Sequence, residues 1–226
     1  MPTPIEAVIF DFGGVIVPGS PSGDSPDSPY AIIERRHGLP AGFLWKAVYI
    51  DNPGWLRLRV GEGSEEEWQG ASREAVAGIA GATTAEAVMA ALEENAPRVA
   101  RLAGRQPEFN AGMIAMIERL RGRYRVGLLS NASPGLEGEL RDHYRIDSLF
   151  HDIINSATVR LAKPDPRIYH LAAERIGVSI SRCFFTDDLA HNIEAARKEG
   201  MTAHQFFGYE GLAVALREAG VETGGG

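Results

Sequence analysis

The spacing of its short apolar runs constrains this chain most. Five of them, Ala7 to Phe10, Val126 to Leu129, Asp152 to Asn155, Cys183 to Thr186 and Ala203 to Phe207, are bounded by Gly, Asp, Asn or Lys and are too brief to be helices. Helical patterns lie between and after them, at Ala111 to Arg121, Pro134 to His143, Pro166 to Ile176, Leu189 to Glu199 and Leu212 to Glu218. Strands alternating with helices of this length form βαβ units. The expected fold is therefore α/β, a Rossmann-like doubly wound parallel sheet of about five strands covered on both faces.

One interval breaks the alternation. More than a hundred residues separate the first run from the second, and almost none of them carries a strand signal. The interval opens with PGSPSGDSPDSP, Pro18 to Pro29, whose residues favour turns and deny regular structure. Helical stretches follow around Tyr30 to His37, Phe43 to Tyr49, Ser64 to Ile79 and Ala85 to Glu94, and Ser64 with Glu67 has capping-box spacing. The reading is a core formed by residues 1–17 and 110–226, with a helical cap inserted at 18–109. Pro18 to Pro29 is its expected hinge, and Gly224 to Gly226 are expected to fray.

Composition narrows the function. A net charge of −7 and a pI near 5.4 argue against a general nucleic-acid or anionic-membrane binder. Cys183 is the only cysteine, so an intrachain disulfide and a CxxC zinc site are excluded. The first ten residues lack a basic leader region, and no apolar run approaches the roughly 20 residues that span a bilayer. A cytoplasmic setting is expected. The 23 cations are 20 arginines and three lysines, Lys46, Lys163 and Lys198, so the place of each lysine is informative.

In an open parallel sheet, ligands bind outside the carboxyl ends of the strands. The first run ends in Asp11, followed by Phe12-Gly13-Gly14-Val15; the second ends in Ser130-Asn131; Lys163-Pro164 stands just ahead of a helix; and the fourth run ends in Asp187-Asp188. Singly, each has a bland reading as a turn former, a cap or a solvated charge. Jointly, three carboxylates, an ammonium, a hydroxyl and an amide converge on one sheet edge. Adjacent carboxylates repel unless a cation compensates. Carboxylate and carbonyl oxygens suit Mg²⁺, an Asp carboxylate can take a phosphoryl group, and lysine and hydroxyl groups can hold the remaining phosphoryl oxygens.

These four motifs, with Asn192 four residues beyond Asp188, resemble the haloacid dehalogenase superfamily. More narrowly, the segments VIFDFGGVIVP, LLSNAS, KPDPRIY and FTDDLAHNIEAARKEGM look like the phosphatase-like domain of soluble epoxide hydrolases and of acyl-CoA dehydrogenase fusion proteins. The resemblance implies a phosphatase acting on a small phosphorylated metabolite, with Mg²⁺ as cofactor. It makes Asp11 the nucleophile and a metal ligand, with the Gly13 carbonyl and Asp188 completing the protein's share of the metal shell. Asp187 would orient Lys163 or a metal-bound water, and Asn192 would hold another such water. Ser130 and Lys163 would bind the phosphoryl group, Asn131 the substrate or phosphate, and the backbone N–H groups of Phe12 and Gly13 would face the phosphate.

One departure matters. Most phosphatases of this family carry an acid two residues after the nucleophile, where this chain has Gly13. A positioned general acid is worth about 10²–10⁴ in rate. Its absence implies a substrate with a good leaving group, a proton from the cap or from water, or a protein that chiefly binds a phosphorylated ligand. A metal-independent 2-haloacid dehalogenase is the other enzyme reading, and Asp187-Asp188 counts against it. Trp45, Trp55 and Trp68 read as cap core, Arg57 and Arg59 as solvated, His191 as an exposed helix residue, and Cys183 as a small buried hydrophobe.

Overall fold

A computed structural model of the protein describes residues 4–18, 29–94 and 108–223. Most of the expected hinge and the terminal glycines lie outside the described residues. Five strands, β1 (Ala7–Phe10), β2 (Arg125–Ser130), β3 (Asp152–Asn155), β4 (Cys183–Asp187) and β5 (Thr202–Gln205), form one parallel sheet in the order β3-β2-β1-β4-β5. The fifth strand ends earlier than its apolar run: the last ladder bond joins the Phe206 N–H to the Asp187 carbonyl, and Phe207 beyond it is exposed.

Alternation along the strands sorts the core into two layers. Val8, Phe10, Val126, Leu128 and Phe184 pack with Met113, Ile117, Leu212 and Leu216 on one face. Ala7, Ile9, Leu129 and Phe185 pack with Ile168, Ala172, Ile193 and Ala196 on the other. The helices responsible are Met113–Arg121 and Tyr209–Glu218 on the first face, and Pro166–Ile176 and Ala190–Lys198 on the second. Gly127 lets the helix Pro166–Ile176 approach closely, since a Cβ there would stand 2.3 Å from Ile176 Cδ1.

Between residue 18 and the core helix Met113–Arg121, the described residues form only helices: Pro29–His37, Phe43–Trp45 continuing as a π-type turn over Lys46–Ile50, Pro53–Leu58, Glu65–Ala80 and Ala82–Glu94. Ser64 and Glu67 form the full capping box. These helices bury a cluster of their own around Ile33, Leu44, Val48, Val76 and Val88. Trp55 is buried, and the half-buried Trp68 donates its indole N–H to the Val48 carbonyl at 2.7 Å, so both serve packing. Pro53–Leu58 had no counterpart in the apolar pattern; Asn52 caps it by accepting from Trp55 N at 2.9 Å, and proline is well suited to a first helical turn. Among the described residues no helix is long and apolar enough to cross a membrane.

Candidate active site

The sheet's alternation continues into the polar residues at its edge. Asp11 follows Ile9 by two residues and Asp187 follows Phe185 by two, so both carboxylates fall on the face that carries Leu129. Lys163 precedes the helix Pro166–Ile176 on that same face and reaches in between them. Its Nζ donates to Asp11 Oδ1 at 2.7 Å, to Asp187 Oδ2 at 2.6 Å and to the Leu129 carbonyl at 2.9 Å. All three ammonium donors are thereby used, and Lys163 is only 2% exposed. The ammonium also stands 5.5 Å from the centre of the Phe185 ring.

Asp187 is fully committed. Its Oδ1 accepts from Leu189 N at 2.8 Å, and the Asn192 amide donates to both carboxylate oxygens at 3.0 Å. Asn192 is buried, and its own Oδ1 has no hydrogen-bond partner among the described residues. Asn131 was expected to touch substrate or phosphate. Its side chain is clamped to the Lys163 main chain, accepting from Lys163 N at 2.8 Å and donating to Lys163 O at 2.9 Å. Ser130 is buried at the end of β2, and His191 is exposed.

The turn after Asp11 is tight. Ile16 and Val17 both donate to the Phe12 carbonyl, Gly14 adopts a φ of 84°, and Gly14 N donates to Val17 O at 3.0 Å. The Phe12 side chain leaves the site and meets Tyr144 edge-on at 4.9 Å. A Cβ built on Gly13 would meet nothing within 4 Å, so space lies beside the nucleophile position. Asn110, not singled out in the sequence, fastens this turn: its amide donates to Val15 O at 2.8 Å and Gly14 O at 3.3 Å, while its N–H bonds Ile16 O at 2.9 Å. An asparagine just before a helical pattern reads as a helix cap, which concealed this role.

The electrostatics are unbalanced. Asp11, Asp187 and Asp188 bring carboxylate oxygens within 4.8 Å of one another, and one ammonium faces them. Burial raises Asp11 to about 6, with Lys163 holding it down and Asp187 pushing it up. Burial, then Asp11 and Asp187, lift Asp188 to about 8, and Lys163 offsets only part of this. For Lys163, burial alone would depress the pKa, but the two carboxylates outweigh it and hold the amine charged. Three close hard oxygen donors, short of compensating charge, fit a divalent cation such as Mg²⁺.

Comparisons with known proteins agree with this arrangement. The family described as haloacid dehalogenase-like hydrolase matches residues 5–200. A phosphatase of Mycobacterium tuberculosis (strain CDC 1551 / Oshkosh) is 37% identical over 91 residues, 40% of this chain and 42% of that protein. Acyl-CoA dehydrogenase family member 10 of Mus musculus is 27% identical over 200 residues, 87% of this chain and 17% of that protein. The matches thus span less than half the length of these curated relatives. Among solved structures, a HAD family enzyme from Bacteroides thetaiotaomicron, complexed with magnesium and inorganic phosphate, superposes with a TM-score of 0.58 at 17% identity, covering 89% of this chain and 93% of the other. The L-2-haloacid dehalogenase from Xanthobacter autotrophicus gives 0.58 at 20% identity over 93% and 81%. At these identities the structural likeness carries the fold alone.

Proposed function

The chain belongs to the haloacid dehalogenase-like hydrolase family, and from that premise we propose that it is a Mg²⁺-dependent phosphatase that hydrolyses a small phosphorylated metabolite through an aspartyl-phosphate on Asp11. The observation that carries this reading is the buried excess of carboxylate. Lys163 compensates Asp11 and Asp187, and Asp188 stands beside them with its pKa raised to about 8. A site that displaces halide without a metal has no use for that third acid. The M. tuberculosis relative is itself named a phosphatase, which supports the choice.

In this mechanism an Asp11 carboxylate oxygen attacks phosphorus while the bond from phosphorus to the ester oxygen breaks. Lys163 keeps Asp11 aimed and spreads its charge over the phosphoryl oxygens, Ser130 hydrogen-bonds one of them, and the N–H groups of Phe12 and Gly13 face the others. Asn131 fixes the Lys163 peptide, and Asp187 with Asn192 fixes its ammonium. Water then attacks phosphorus in the acyl phosphate, releasing inorganic phosphate and restoring Asp11. Mg²⁺, held by Asp11, the Gly13 carbonyl and Asp188, supplies charge neutralisation when bound.

The open space at Gly13 bears on the substrate. With no acid there to protonate a departing alkoxide, the reading favours substrates whose leaving group needs little help, such as an anomeric sugar phosphate or an acyl phosphate. Residues 18–109 are assigned as a cap that closes over the site. The close packing of Gly61 on the Ala157 carbonyl, where a Cβ would stand 2.4 Å away, supports contact between this insertion and the strand ends. Cap closure would exclude water while the aspartyl-phosphate forms.

The test is Mg²⁺-dependent hydrolysis of p-nitrophenyl phosphate and a panel of phosphorylated metabolites, with Asp11→Asn as control. Turnover by the wild type alone is expected. Equal rates for both proteins on every substrate would sink the assignment and leave a phospho-ligand-binding protein. Metal-independent halide release from a 2-chloro acid would identify a dehalogenase instead.

A further inference from the structure

The other end of the sheet carries the opposite charge. At the amino ends of β1 and β2 lies a groove of about 550 Å³, within the usual range for small-molecule sites. Its walls include Arg121, Arg123 and Arg125 from one short stretch, His151 from the turn before β3, and Glu6 beside β1. β2 alone separates it from Ser130 by about 17 Å at the usual strand rise.

Two of the groove's charges are already cancelled. Glu6 pairs with Arg182 at 2.8 Å, and Arg123 pairs with Glu222. Among the described residues, Arg121 and Arg125 have no carboxylate partner; Arg125 donates only its Nε, to the Ile176 carbonyl at 3.3 Å. Arg121 sits in the last turn of a helix, where the carbonyl end attracts a cation. Arg125 begins a strand and meets the carbonyl end of the helix Pro166–Ile176 through Nε alone, which leaves its two terminal nitrogens without a partner among the described residues.

His151 adds a directed donor. Its Nδ1 accepts the Val126 N–H at 2.9 Å, which assigns the ring hydrogen of the neutral form to Nε2. Burial, then Arg125, holds this ring below the ordinary histidine pKa, with Arg121 adding to the effect, so both guanidinium charges act on the same ring. The groove therefore offers two uncompensated guanidinium groups and an imidazole N–H in a chain of net charge −7.

We propose that this groove binds a small phosphorylated anion, as a second site on the sheet edge opposite Asp11. Guanidinium groups bind phosphate through paired N–H donors and stay charged at any physiological pH. The depression is shallow and open, and its two unpaired guanidinium groups come from one short stretch beside His151, which suits a small anion better than an extended polyanion.

Inorganic pyrophosphate is the probe, and the His151 ring signals in NMR are the local reporter. Titration is expected to move those signals saturably and to raise the ring's titration midpoint by about half a pH unit or more, as a nearby anion favours the protonated ring. Arg121→Gln with Arg125→Gln, both at exposed positions, should weaken the response at least about tenfold while leaving the protein folded and Asp11-dependent turnover unchanged, with the melting temperature lowered by only a few degrees for the two lost helix-end contacts. Signals that stay in place at about 10 mM pyrophosphate, where a millimolar site would be largely filled, overturn the proposal. So do signals that move equally in the double variant, or equally with chloride at matched ionic strength.

Discussion

Polar groups are buried in two regions of this molecule, and they are satisfied in different ways. In the helical insertion, Glu34 is 2% exposed and accepts the N–H groups of Leu44 at 2.7 Å and Gly42 at 2.9 Å. Asn52 caps one helix while donating to the Ala47 carbonyl and Ser72. Glu34 is answered by main-chain N–H groups, and Asn52 by main chain together with the Ser72 hydroxyl. At the strand ends, by contrast, Asp11, Asp187 and Asp188 converge on one ammonium and retain excess negative charge. Buried polarity that is fully answered by backbone is scaffold. Buried polarity left over-charged is prepared for something that arrives.

Lys163→Met should break that contrast most severely. It removes the ammonium and leaves Asp11 and Asp187 facing each other, so turnover should fall by at least about 10³, the scale of losing a charged group that acts in the transition state. Folded stability should also fall by about 3–5 kcal/mol when divalent cations are withheld, because the surviving carboxylates are buried without a compensating cation. Steady-state rates and urea melts in EDTA measure the two losses. A variant that melts like wild type in EDTA would show that Lys163 does not balance the cluster.

Withholding the cation from the unaltered protein tests the same excess charge through pH. Asp188 has a folded pKa of about 8, well above its ordinary value of 3.8. Below about 4 both states hold the proton, and above that the unfolded chain releases it while the folded protein does not. The folded state then binds more protons, so stability should decline as pH rises from about 4 to about 8 in EDTA. Saturating Mg²⁺ should flatten or reverse that slope. Thermal melts across this window check it, and a slope unchanged by Mg²⁺ would count against metal binding by these acids.

Much of this was legible because strand ends are short and polar. Asp11, Ser130 and Asp187-Asp188 stand where apolar runs stop, and the scarcity of lysine made Lys163, just ahead of a helix, conspicuous. What escaped the sequence involves main-chain partners, which carry no residue signature. The Asn131 clamp binds the Lys163 peptide, and Asn110 binds the carbonyls of Val15 and Gly14. Pro53–Leu58 escaped for another reason: Pro53 and Gly54 read as punctuation, although Asn52-Pro53 is a sound helix start. The arginine-lined groove needed the fold, because Arg121 and Arg125 meet His151 only when β2 pairs beside β3.

Gly13→Asp sharpens the contrast by adding function instead of removing it. The site has room for a Cβ, and Gly13 does not adopt a φ that opposes a side chain. On alkyl phosphates, whose leaving groups need protonation, the new acid should raise kcat by about 10–10². On p-nitrophenyl phosphate, which leaves readily, the rate should stay within about twofold. A gain confined to the alkyl substrates identifies proton donation; equal changes on both would point to altered binding.

Glu34→Gln probes the scaffold side, and its effect on turnover should be the smallest. The amide keeps one acceptor oxygen but places an NH₂ group against a backbone N–H that Glu34 now accepts, from either Gly42 or Leu44. One buried donor is left unsatisfied, which costs roughly 1–3 kcal/mol of stability. The insertion has its own hydrophobic cluster, and buried Glu34 follows Ile33 and binds the N–H of Leu44, both members of it, so the loss should appear in the urea midpoint and in hydrogen exchange of the Gly42 and Leu44 amides. Values of kcat/KM within about twofold of wild type are expected, since a residue answered wholly by backbone contributes no charge to the reaction. A large fall in kcat with an unchanged midpoint would overturn the division, and would mean that the Glu34 turn reaches the reacting groups.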